Sequence, residues 1–268
     1  MASIEVVQST GYQAFLEPVK ESEECYTHLG DIHSTANGTF IGYIKFYPDE
    51  IRRSKGLVNE ACGYLLAKTL DLPVPPYGMI LILEGERLIE AHPSLKKLLA
   101  AAALYPAWVT EQVKGVPIVS SDNKAIESLK KWSSLPSLIA FDDWVLNSDR
   151  SLENLVQGRK KGQFTGIDLG HIFGGLYWDR DLLTQDWPFR RRFIEELWGG
   201  DPPLQVKYQV LEAAKQHHSA FSNIRAELDK LLSKLLDNQE DKNKLLAFLE
   251  HRASQSYDRI MKGLGVMI

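Results

Sequence analysis

Asp149, in the segment NSDRSLENLV (147–156), is followed five positions later by Asn154. Fourteen residues further on, Asp168 stands in TGIDLGHIF (165–173). An acid, an amide and a second acid can divide the work of moving a phosphoryl group. One carboxylate orients the attacking hydroxyl and takes its proton, while the amide and the other carboxylate offer oxygens to a hard divalent cation. Lys45, upstream in GYIKF (42–46), supplies a fixed positive charge for phosphate oxygens. Singly, each residue has an ordinary explanation: a solvated strand lysine, an Asx turn at Asn147–Asp149, an acid at a strand end. The joint occurrence in this order carries the reading.

The elements that must position these groups follow from the pattern. His33 to Asn37 are polar and lead through Gly38 into Thr39–Phe46, rich in aromatic and β-branched residues. That is a turn feeding a strand, with Lys45 near the strand's end on the face of Tyr43 and Ile41. Backbone N–H groups of a small polar turn can approach phosphate, so Ser34, Thr35, Asn37 and Gly38 are candidate nucleotide contacts, with an ordinary hairpin turn as the equal alternative. Leu57–Leu70 has a helical period and is ended by Pro73, Pro75 and Pro76. It carries Glu60, which can face the sheet and pair with Lys45. Gly78–Leu83 reads as a buried strand, Pro93–Ala103 as a short helix, and Ala107–Lys114 as a strand running into Gly115 and Pro117.

Beyond that point the pattern turns helical: Asp122–Trp132 with Asp122 as N-cap, Pro136–Leu146, Phe189–Trp198, and Leu204–Lys262 with one break near Asp237–Asp241. Leu155–Val156 and Phe164–Ile167 form a hairpin between them. The expected architecture is α+β, with a small sheet lobe carrying one helix (1–113) and a larger helical lobe (114–268), the candidate chemistry falling at their seam. Arg190, Arg191 and Arg192 could receive an acidic or phosphorylated partner, or form a solvated helix face. His217 and His218, adjacent on a helix, cannot share one metal.

The chain has 268 residues, 44% of them hydrophobic and 25% charged, which is ordinary for a globular protein. A net charge of -4 argues against a nucleic-acid coat. Cys25 and Cys62, the only cysteines, make neither a disulfide framework nor a zinc site. The N-terminus lacks a secretion-signal pattern, and the longest apolar run, Leu98–Val109, contains Pro106 and is too short to cross a bilayer. The expectation is a cytoplasmic protein with no membrane and no direct nucleic-acid partner.

The segments GTFIGYIKF, LVNEACGYLLAKTLDLPVPPYG, WVTEQVKG, NSDRSLENLV and IDLGHIF resemble those of the HipA-like kinases. That family is a bacterial branch of the protein-kinase-like fold, related to the phosphoinositide kinases in its loop motifs. The resemblance implies a two-lobed protein-kinase-like fold using ATP and Mg2+. Lys45 would contact the nucleotide phosphates with Glu60 as its partner, and Glu111, Gln112 and Val113 would form the hinge beside adenine. Asp149 would be the catalytic aspartate, with Asn154 and Asp168 on magnesium. It implies a serine/threonine kinase with a protein substrate. Some members of the family are toxins acting on translation factors, so an antitoxin or other regulatory partner comes with the resemblance. A small-molecule or lipid kinase and a nucleotide-binding pseudokinase are the alternatives. Phosphorylation of Ser34 or Thr35 would place charge beside the triphosphate and switch activity off. The metal motif reads Asp-Leu-Gly where Asp-Phe-Gly is usual.

Overall fold

The structure is a computed structural model describing residues 3–22, 24–48, 55–160 and 162–266. Its N-terminal part is a six-stranded sheet in the order β1-β5-β6-β4-β3-β2. The strands are β1 (Glu5–Val7), β2 (Tyr12–Glu21), β3 (Tyr26–Ser34), β4 (Gly38–Phe46), β5 (Gly78–Glu84) and β6 (Leu104–Glu111). All pairings are antiparallel except that of β1 with β5.

Alternation sorts the sheet's side chains between two cores. Met79, Leu81 and Leu83 pack with Ile44, Phe46 and Val109 on one face, covered by Leu88 of α2 (Gly85–Ala91) and by Leu95. Ile80 and Trp108 point to the other face, against α1 (Gly56–Thr69). Since Ile44 and Phe46 belong to the first face, Lys45 must project toward α1. That helix is buried almost throughout, because its far side packs on α7 (His217–Leu235). A helix enclosed by a sheet and another helix must be apolar all round rather than amphipathic, which LVNEACGYLLA satisfies apart from Asn59 and Glu60.

A small second sheet, β7 (Gly115–Pro117), β8 (Leu155–Gly158) and β9 (Phe164–Gly166), carries the candidate loops. Around it lie α3 (Asn123–Leu129), α4 (Leu135–Trp144), α5 (Arg192–Trp198), α6 (Leu204–Ala214), α8 (Gln239–Ser254) and α9 (Ser256–Gly263). Helix α4 is the hub of this lobe. Phe141 and Trp144 face α1, α7 and α8, while Leu138 and Ile139 face α6 and α9. Its buried Asp143 is held by Arg252 and Arg259. As expected, Asp122 caps α3 by accepting from the Ala125 N–H at 3.0 Å.

Three expectations differ from what is observed. The segment Pro93–Ala103 holds only a 3-10 turn, Pro93–Lys97, and the helix at that place is the earlier α2. Seven residues fused to the end of a strand are too few to display a period. The strand read as Ala107–Lys114 runs instead over Leu104–Glu111. The helical tail breaks at 215–216 and at Gln255 as well as near Asn238.

His217 stacks on Trp144 with ring centroids 4.8 Å apart and hydrogen-bonds the Ser256 hydroxyl at 2.8 Å. Burial, with Arg259 adding, pushes its imidazole down to about 3. His28 is pushed down to about 3 by burial and by His92. Both rings are therefore neutral in the folded chain, whereas the unfolded chain binds protons below the ordinary histidine value of 6.5. Stability is full above that value and falls as pH drops from about 6.5 toward about 3. Urea midpoints measured down this range should decline, and His217→Gln should flatten the decline.

Candidate active site

Lys45 sits between two carboxylates. Its ammonium lies 2.5 Å from Glu60 Oε1 and 2.9 Å from Asp168 Oδ1. Glu60 also accepts from the Tyr47 hydroxyl at 3.1 Å and, through Oε2, from the Leu169 N–H at 3.1 Å. Burial alone would lower the Lys45 ammonium, but Asp168 and Glu60 outweigh it and hold it above the usual lysine range. Burial would raise the Asp168 carboxyl, but Lys45 holds it well below the usual carboxylate range. For Glu60, burial dominates and raises the carboxyl against the pull of Lys45. The Asp168 side chain keeps 35% of its surface exposed, so an ionised oxygen remains open to the cleft.

Helix α1 grips the Asp-Leu-Gly segment at three points along one face. Besides Glu60, the Asn59 amide donates to the carbonyls of Gly170 at 2.6 Å, Ile172 at 3.2 Å and Gly175 at 3.0 Å, and its oxygen accepts from the Trp178 indole at 2.8 Å. One turn on, Gly63 approaches so closely that an added Cβ would meet Leu169 and Ile172 at 3.0 Å. Asp168 itself has φ 60°, a left-handed conformation that a non-glycine residue adopts only when its surroundings enforce it.

The 147–154 loop is held from below by Arg150. Its guanidinium pairs with Asp142 of α4, Nε to Oδ2 at 2.8 Å and Nη2 to Oδ1 at 3.1 Å. The remaining nitrogen, Nη1, donates to the carbonyls of Asn154 at 3.2 Å and Ile167 at 3.1 Å. One buried cation thus ties the loop to the strand that leads into Asp168. The Asn147 amide joins in, donating to Asp142 at 2.8 Å and accepting from the Asp149 N–H at 3.1 Å. Asp149 is left exposed at the crest of the loop. Asn154 is joined to the Asp168 strand by the Ile167 N–H, which donates to its carbonyl at 2.9 Å. Its side-chain oxygen accepts from the Ser151 N–H at 3.0 Å and hydroxyl at 2.9 Å in a capping box.

A cavity of about 280 Å³ opens between the lobes. Lys45, Glu60, Asp168, Glu111 and Val113 all line it, with Val19, Val74, Val156 and Ile167 as apolar walls. Buried Trp108 Nε1 and Glu111 Oε2, both from lining residues, have no hydrogen-bond partner among the described residues. Gln112 contributes no wall, its N–H being used by the Ile41 carbonyl at 2.8 Å. Asp149 and Asn154 lie on the adjoining loop rather than in the wall. Among the described residues no three acids, histidines or cysteines gather to hold a metal. A cation at Asp168 would therefore take few protein ligands, which suits Mg2+ with its retained waters and phosphate oxygens.

Ser34, Thr35, Asn37 and Gly38 are not at this site. Their turn is at the opposite end of β4, seven residues from Lys45, which is about 23 Å of strand. Ser34 is 1% exposed and its hydroxyl donates to Glu5 at 2.6 Å, with Thr35 and Asn37 donating to the same carboxylate. The antiparallel register brings Thr27 beside Lys45 and Lys20 beside Thr27. The turn at the cleft is therefore the one between β2 and β3, whose flanking Val19, Lys20 and Thr27 line the cavity. A phosphate switch at Ser34 or Thr35 falls with the misplacement. The sequence pattern gave no role to Arg150, Asp142 or Asn59. The signal for Asn59 was present, since an amide inside an otherwise apolar helix needs partners.

A small sheet, an enclosed helix, a helical lobe and a seam lined by Lys45, Glu60 and Asp168 define a kinase-like protein. Residues 49–173, from ahead of α1 through the Asp-Leu-Gly segment, match the model of the HipA-like kinase family. Among solved structures the chain is similar to a Helicobacter pylori proinflammatory kinase, CtkA, over 98% of its own length and 100% of that chain, with a TM-score of 0.57 and 10% identity. That likeness is one of fold. No curated protein matches by sequence. Among the described residues no helix is long and apolar enough to cross a membrane.

Replacing Arg150 with Ala would strand Asp142 as an unpaired buried carboxylate, at a cost of about 3–5 kcal/mol. The urea midpoint should fall accordingly, and amide exchange over residues 148–154 should accelerate more than in α6. Arg150→Lys should recover only part of the loss, since an ammonium cannot make the forked contacts.

Proposed function

We propose that the chain is an ATP- and magnesium-dependent kinase that phosphorylates serine or threonine hydroxyls of a protein. The observation that carries this is the buried Lys45 ammonium held between Glu60 and an ionised, half-open Asp168. In this reading Lys45 takes the nucleotide phosphates, and the hinge strand at Glu111–Val113 lies along adenine against the apolar walls. Asp168, with Asn154 after its side chain leaves Ser151, would hold Mg2+, whose chemistry is to neutralise charge on the phosphates. The acceptor hydroxyl attacks the γ-phosphorus as the bond to the β-phosphate oxygen breaks. ADP leaves, and the hydroxyl proton passes to Asp149. The lobes correspond to 1–113 and 114–268, and the cytoplasm is the proposed compartment. A toxin role and an antitoxin partner rest on family likeness alone.

A second reading, a nucleotide-binding pseudokinase, is favoured by one feature: the Asn154 oxygen is already committed to two donors of Ser151.

Incubation with ATP and magnesium followed by intact-protein mass measurement separates the two. A kinase should gain phosphoryl mass itself or transfer it to an added protein mixture, and Asp149→Asn should reduce the rate by about 10²–10⁴-fold. ATP binding without transfer in the parent would favour the pseudokinase. Equal transfer by parent and Asp149→Asn would remove Asp149 from the proposed role.

A further inference from the structure

A second cavity, of about 220 Å³ and sharing no lining residue with the first, is lined by Asn147, Ser148 and Arg150 of the loop and by Arg190, Arg191 and Arg192. Asp142 and Asp143 also border it, but their carboxylates are committed to Arg150 and to Arg252 and Arg259. Arg191 is likewise committed, to Asp201 and the Gly263 carbonyl. Arg190 and Arg192 differ. Both are exposed, and neither has a carboxylate partner among the described residues. Arg190 lies over the Trp187 ring at 5.7 Å, a cation–π contact that uses no N–H donor on a carboxylate.

The position gives these charges a use. Ser148 lines the cavity and Asp149 is the next residue. An extended peptide advances about 3.3 Å per residue. A peptide with its hydroxyl at Asp149 that runs on past Ser148 would bring neighbours two to four places away over this cavity. Guanidinium forks match carboxylate and phosphate oxygens. We infer that Arg190 and Arg192 are specificity-determining residues that select acceptor segments carrying an anionic group, a carboxylate or a phosphate, within a few residues of the hydroxyl. The inference rests on the kinase reading for its acceptor position, while the anion site itself does not depend on catalysis.

The test uses peptides with one serine flanked by Glu, phosphoserine, Ala or Lys. They are offered with ATP and magnesium to the parent, to R190A/R192A and to R190E/R192E, with melting temperatures as a check on folding. Anionic flanks should raise kcat/KM about tenfold or more over Ala, through KM, as charge-assisted bonds do. R190A/R192A should erase the preference and R190E/R192E should turn it toward Lys. The Glu and phosphoserine arms show which anion is favoured. Equal use of all peptides by the parent, or a preference that survives R190E/R192E, overturns the inference while leaving the kinase reading intact. Should no peptide be phosphorylated, fluorescence anisotropy of a labelled Glu-rich peptide without serine or threonine decides. Binding by the parent at low salt that R190E/R192E loses would support the anion site although the kinase reading had failed. Equal binding, or none, would overturn it.

Discussion

An ammonium taken out of water must be met by negative charge at contact distance, and Lys45 is met twice. Its two carboxylates come from different places, Glu60 from α1 and Asp168 from the segment after β9. The ion cluster therefore couples the sheet, the enclosed helix and the metal motif. Shifting any one of them would leave a buried charge unpaired, a penalty of several kcal/mol. The same requirement explains why Asp168 can stand ready: the lysine that holds it ionised also occupies only one of its oxygens. The cluster thus sets the relative position of the two lobes and the charge that the cleft offers a ligand.

Around this cluster the scaffold works by giving polar groups a full set of partners. Asn59 answers three carbonyls of the loop after Asp168. Arg150 answers Asp142 and two carbonyls, Asn154 at the end of the 147–154 loop and Ile167 just before Asp168. Neither residue need touch a nucleotide. Both convert the packing of the helical core into a defined height for Asp149 and Asp168, since α1 and α4 are themselves fixed in that core. The left-handed backbone at Asp168 is a conformation such a frame can impose. The two loops that carry Asp149 and Asp168 are thus each fixed by a buried polar side chain.

Much of this was legible in the chain. Motif order pointed to a kinase-like α+β fold, and residues 49–173, which match the HipA-like model, carry four of the five segments, GTFIGYIKF with Lys45 lying ahead of the match. The period of α1 and the alternation of β4 allowed Glu60 to face Lys45 but equally suited a surface acid, and it was the family resemblance that paired the two. The turn at 33–38 shows where such reading fails. Its small polar residues suit phosphate, yet a turn that begins a nine-residue strand cannot also lie beside the eighth residue of that strand. Strand length alone rules it out, and composition misled. Arg150 was hidden for a different reason. Its partner Asp142 lies on the preceding helix, eight residues away, a spacing that no helical or strand period marks. The second cavity joins residues over 40 positions apart, a proximity only the fold creates.

The central question is whether the cleft is a magnesium–nucleotide site built on Asp168. Calorimetric titration of ATP into the parent and into Asp168→Ala, each with magnesium and with chelator, tests that most directly. Magnesium should tighten ATP binding to the parent, and Asp168→Ala should remove this dependence. ATP affinity indifferent to magnesium in the parent, or the absence of ATP binding, would contradict it.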